Sequence, residues 1–112
     1  MPATILAVSP EPTILASLGF LLEAEGWRVV LRERLGATAS AVDKFVCAIV
    51  DCKAISNKIN GLSDLQEWHV PVILLVDSYK SYPVTEGIRV VEKPILGPSL
   101  VEAVIEALAL SR

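Results

Sequence analysis

The 112-residue sequence has no apolar run near the roughly 18 residues that a membrane span needs. Its start also lacks the basic segment and cleavage site of a secretory leader, so a cytoplasmic chain that does not enter the membrane is expected. Only two cysteines occur, Cys47 and Cys52. They lie an odd number of positions apart on one strand-like run and should point to opposite faces, which disfavours a disulfide or a shared metal. Both are read as buried thiols. The ten Lys and Arg residues are scattered rather than striped, and thirteen Asp and Glu residues bring the net charge to −3. That pattern leaves no footprint for direct nucleic acid binding. The single histidine, His69, stands before Val70-Pro71 and is expected on an exposed loop. No Gly-x-Gly phosphate loop follows any strand-like run, which weighs against the reading as a small-molecule-binding domain. Repeats, low-complexity tracts and linkers are also missing, so one domain over residues 1–112 is expected.

What the chain does have is apolar residues, at 53% of the total. For a chain this small, that fraction implies a sheet buried on both faces, with apolar surface left over for a partner. Five β-runs can be read. Thr4–Val8 stops at Ser9-Pro10-Glu11-Pro12, where two prolines end ladder pairing and favour a helix start. Ile14, Leu15, Leu18, Leu21 and Leu22 then recur at helical spacing up to Gly26, predicting a helix from Pro12 to Glu25. Trp27–Leu31 is the second strand. A short, weak helix over Gly36–Lys44, capped near Thr38 or Ser40, leads through Phe45 into the third strand, Val46–Val50, which ends on Asp51. Leu62, Leu65 and Trp68 offer one face of a helix barely two turns long. Val70–Val76 is the fourth strand, ending on Asp77 and Ser78. The connection through Tyr79, Pro83 and Gly87 lacks helical periodicity and reads as a loop or a single turn. Ile88–Glu92 is the fifth strand, closed by Lys93-Pro94. A last amphipathic helix carries Leu100, Val101, Val104, Ile105 and Leu108, with Ser99 and Glu102 at capping-box spacing.

If the sheet is parallel, the polar groups that close these runs converge on one edge, the edge at which open α/β sheets bind ligands. They are Ser9 and Glu11, Asp51, Asp77 and Ser78, and Lys93. Asp51 is the first candidate for chemistry, set against the plainer reading of a strand-end carboxylate that caps the following loop. Trp27 and Trp68 read as packing residues at the rim of the core. Tyr79 and Tyr82 are either a binding surface or ordinary loop residues.

This pattern resembles the receiver domain of two-component response regulators over essentially the whole chain. The resemblance rests on Asp51 after an apolar third strand, a polar pair after the fourth, Lys93-Pro94 after the fifth and the closing amphipathic helix. It implies a three-layer, flavodoxin-like α/β fold with a five-stranded parallel sheet of order 2-1-3-4-5, here with shortened third and fourth helical segments. It also implies phosphoryl transfer from a histidine kinase to Asp51, with Lys93 as the fixed cation and Ser78 or Asp77 at the hydroxyl position. An Asp carboxylate can attack phosphorus if a divalent cation screens the repulsion between the two anions.

The departures from the family pattern shape the expectation. Ser9-Pro10 replaces the usual pair of acidic residues, leaving Asp51, Ser9 and a back-reaching Glu11 as a weakened or lost Mg²⁺ site. Each carboxylate about 4 Å from a unit cation charge is worth on the order of 4 kcal/mol at an effective dielectric of about 20, before solvation is subtracted. Asp77 takes the hydroxyl position, where it would repel a phosphoryl group and pair with Lys93. Val90 replaces the aromatic switch residue. The sequence therefore reads as a divergent receiver, or pseudo-receiver, that acts as an interaction module in signal transduction. It is not an enzyme beyond, at most, phosphoryl transfer to its own Asp51, and the working phosphoacceptor is the alternative. Its expected partners are proteins: a histidine kinase, an effector domain fused or separate, or a second copy of the chain.

Overall fold

The computed structural model describes residues 3–34, 44–55, 65, 68, 70–77, 88–95 and 97–110. Proline sets the first boundary. β1 (Thr4–Val8) gives way after Ser9 and Pro10 to α1 (Pro12–Ala24), with Pro12 in the first turn, where its missing N–H costs nothing. α1 stops at Gly26, whose φ of 96° lies in the left-handed region that glycine adopts without strain. The Gly26 N–H donates to the Glu23 carbonyl and the Trp27 N–H to that of Leu22, a Schellman closure that turns the chain into the next strand.

The remaining elements are β2 (Arg28–Arg32), β3 (Cys47–Asp51), a 3-10 turn (Cys52–Ala54), β4 (Val72–Val76), β5 (Ile88–Glu92) and α2 (Gly97–Leu110). The strands form one sheet in the order β2-β1-β3-β4-β5, with every pairing parallel. This is the flavodoxin-like order expected from the sequence.

Boundaries differ from the predicted ones where backbone chemistry intervenes. β4 begins at Val72 because Pro71 has no N–H to give the ladder; its carbonyl instead accepts the Ala48 N–H at 3.0 Å. α2 starts two residues before Ser99, so Ser99 lies in the first turn and does not cap it. Pro98 tolerates that turn well. The helices predicted over 36–44 and around 62–68 and the 78–87 connection fall largely outside the described residues.

Both faces of the sheet are covered, as period-two alternation requires. Ile5, Ala7, Cys47, Ile49, Ile73 and Leu75 pack on one face against Leu18 and Leu22 of α1 and Leu100 and Val104 of α2. Leu6, Val8, Ala48, Val50, Leu74 and Val76 cover the other, with Leu65 and the half-buried Phe45 and Trp68 against them. Trp27 packs at the margin of the first cluster, as read from sequence. The cysteines are free and belong to opposite faces. Burial pushes the Cys47 thiol up to about 12, leaving it protonated and inert at neutral pH. The edge strands carry exposed Arg28 and Arg32 on one side and Arg89 and Glu92 on the other, charges that discourage pairing with a foreign strand. Among the described residues, no helix is long and apolar enough to cross a membrane.

Candidate strand-end site

Parallel pairing carries the ends of β1, β3, β4 and β5 to one edge, and two backbone bonds extend the ladders by a residue. The Ser9 N–H donates to the Arg32 carbonyl at 3.0 Å, and the Lys93 N–H to that of Val76 at 2.8 Å. Ser9 thereby continues β1 along the end of β2, and the pairing of Val8 with Val50 sets it beside the end of β3; Lys93 is drawn beside the end of β4. Asp51 is the last residue of β3, paired with Leu75. Ser9 and Asp51 are the buried polar residues among those described, each with no exposed surface.

Both oxygens of the Asp51 carboxylate are engaged. Ser9 Oγ donates to Oδ2 at 2.7 Å. Oδ1 accepts Lys93 Nζ at 2.8 Å and the Lys53 backbone N–H at 3.0 Å. The Lys53 contact is an Asx turn, in which a carboxylate caps the backbone two residues on. The plainer reading of Asp51 as a loop cap thus holds in part: Asp51 caps the turn, but from a buried position. Burial works to raise the Asp51 pKa. The Lys93 ammonium, the Lys53 N–H and the Ser9 hydroxyl outweigh it and hold the carboxyl below its ordinary value. Burial likewise works to lower the Lys93 pKa, but the hydrogen bond and charge of Asp51 leave it raised. A buried carboxylate is tolerable only with this degree of pairing.

The other predicted residues fall differently. Glu11 precedes α1, its carbonyl accepting the Leu15 N–H at 3.1 Å and its own N–H donating to Ser9 Oγ at 3.1 Å, while its side chain pairs with Lys53 Nζ. That pair raises the Lys53 pKa. Glu11, given only a minor role in a weak or lost cation site from the sequence, is turned to a lysine. Asp77 lies 3.6 Å from Lys93 Nζ, but its side chain is 66% exposed, against 14% for Lys93. The predicted partly buried Asp77–Lys93 pair is thus a peripheral contact, and the main partner of Lys93 is Asp51. Ser78 lies outside the described residues. Lys53, which sequence reasoning passed over, had one legible signal in its position two residues after a strand-end Asp.

A divalent cation such as Mg²⁺ demands near-octahedral oxygen coordination and usually binds through one or two carboxylates. The described residues do not fit it. Ser9 Oγ is held between the Asp51 carboxylate and the Glu11 N–H, which occupies one of its lone pairs, Pro10 has no side-chain ligand, and Glu11 is paired with Lys53. Among the described residues, no three His, Cys, Asp or Glu side chains are grouped to hold a metal.

No protein-family model matches the sequence, and no curated protein matches it. Solved structures do match the fold. A response regulator receiver domain protein from Bacillus halodurans aligns at a TM-score of 0.79 and 17% identity, covering 96% of this chain and 97% of that one. A receiver domain protein from Clostridium thermocellum aligns at 0.73 and 25% identity, covering 96% and 94%. One from Methanospirillum hungatei aligns at 0.74 and 22% identity, covering 99% and 97%. The chain has the fold of response regulator receiver domains.

Proposed function

We propose that this chain is a receiver-fold interaction module of signal transduction that works by binding a protein partner, with phosphoryl chemistry at Asp51 lost. The observation that carries this reading is the closure of the Asp51 carboxylate on protein donors: Ser9 on one oxygen, Lys93 and the Lys53 N–H on the other. Three protein donors occupy the carboxylate, which has about four acceptor positions, and attack on phosphorus needs both an open approach and a cation to screen the incoming charge. Here the hydroxyl of Ser9 stands against the carboxylate, and the described donor set does not suit Mg²⁺. The expected partner is a histidine kinase or an effector domain, fused or separate. Binding is expected to persist in Asp51→Asn.

A second reading has one observation in its favour. Lys93 lies 2.8 Å from Asp51, a fixed cation suited to receiving the charge that develops in phosphoryl transfer. On that reading, Asp51 is a working phosphoacceptor. Incubation with acetyl phosphate and Mg²⁺, followed by intact-mass measurement, separates the two. No mass change is expected. Gain of one phosphoryl group in the wild type, absent from Asp51→Asn, would establish the second reading instead.

A further inference from the structure

We propose that the groove between α1 and α2 docks a basic amphipathic helix of a partner protein. The groove is open to solvent, has a volume of about 490 Å³ and is lined on its apolar part by Leu21, Ala24, Val101 and Ile105. Ile105 is 53% exposed, and Phe20, on the same helix as Leu21, is 76% exposed. A large apolar side chain such as Ile105, left in water on the wall of a groove, marks a binding surface. A trough between two helices suits a third helix, whose side-chain ridges pack into it.

Charge specifies the occupant. Residues 12–25 and 97–110 contain Glu23, Glu25, Glu102 and Glu106 and not one Lys, Arg or His. Glu25, Glu102 and Glu106 line the groove. Arg89 answers Glu106 from β5, whereas neither Glu25 nor Glu102 has an ion-pair partner among the described residues. An apolar floor with an acidic rim complements a helix that carries an apolar stripe flanked by Lys or Arg. A symmetric pairing of two copies through this face would set acidic rim against acidic rim, which like-charge repulsion opposes. This inference rests on reading the chain as an interaction module, but the groove shares no residue with the Asp51 site. Phosphorylation of Asp51 would defeat that reading without touching the groove, so the two failures are distinguishable.

The test uses the whole chain, isothermal titration calorimetry and amide NMR. The probes are a synthetic leucine-lysine amphipathic helical peptide and a twin with glutamate in place of lysine. The lysine peptide should bind, with shifts centred on residues 20–25 and 98–106, and the glutamate twin should not. Glu102→Lys should weaken binding about tenfold, while Glu33→Lys, the same charge change at an exposed position off the groove, should leave affinity close to wild type. Ile105→Ser should weaken binding without changing charge. Equal losses in Glu102→Lys and Glu33→Lys would reduce the effect to net charge and overturn the proposal. Equal binding of the two peptides, shifts centred elsewhere, or a homodimer abolished by Ile105→Asp would overturn it too, the last by assigning the face to a second copy.

Discussion

The strand-end site and the helical groove divide the polar and apolar resources of the molecule in opposite ways. At the ends of the strands, a carboxylate with no exposed surface has partners on both oxygens, and among the described residues no buried side-chain polar atom lacks a hydrogen bond. Along α1 and α2, apolar side chains face water and carboxylates stand beside them with few counter-charges. The edge where parallel α/β sheets usually meet ligands is the internally satisfied region, and the helix face is the one that leaves large apolar side chains in water. Position in a fold nominates a site, but unsatisfied chemistry decides which surface has binding energy to offer.

Substitutions can break or sharpen this contrast. The largest effect is expected from Asp51→Ala, which strands the mostly buried Lys93 ammonium and the Ser9 hydroxyl. A loss of about 3 kcal/mol in urea denaturation is expected, and an unchanged midpoint would mean that the site is not internally paired. Next is acid sensitivity. The folded pKa of Asp51 is depressed below its unfolded value of about 3.9. Its stabilising contribution is therefore fully present above that pH and is lost as pH falls through the folded pKa. Asp51→Asn should flatten the stability profile in that acid window, and parallel profiles would contradict the assignment. Ser9→Ala removes one donor to Asp51 and one acceptor for the Glu11 N–H; a loss of about 1 kcal/mol is expected by the same denaturation. Smallest are Asp77→Ala and Ile105→Ser, both at exposed positions. Each should change stability by less than about 0.5 kcal/mol. A large effect of Asp77→Ala would restore the buried Asp77–Lys93 pair, and one of Ile105→Ser would make the groove part of the core.

Much of this architecture is legible in local sequence pattern, because its causes are local. Pro12 and Gly26 bound α1, and the apolar runs ending on Asp51 and before Lys93 identify strands and strand ends. Their convergence follows from parallel pairing alone. The partners within the site are another matter. Ser9 and Asp51, Glu11 and Lys53, and Asp51 and Lys93 are each 42 positions apart, and no periodicity links them. Asp77 was the natural guess as the partner of Lys93 because both follow neighbouring strands. Burial decides otherwise: Asp51 is fully buried and 2.8 Å from Lys93 Nζ, whereas Asp77 is exposed and 3.6 Å away. Glu11 could not be oriented from sequence because its direction depends on Lys53, which lies on another element. The exposed face of α2 was foreshadowed only as an excess of apolar residues, since which of them meet water depends on how the helices seat against the sheet.

The most direct test of the claim that the Asp51 site is closed to phosphoryl chemistry is an amide NMR titration of the wild-type chain with Mg²⁺ and then beryllofluoride, a mimic of an aspartyl phosphate. No response is expected at Asp51, Lys53 or Lys93 at millimolar Mg²⁺, and none when beryllofluoride follows. Shifts centred on those residues and abolished by Asp51→Asn would contradict it, and would make Asp51 a usable phosphorylation site despite Ser9 and Pro10.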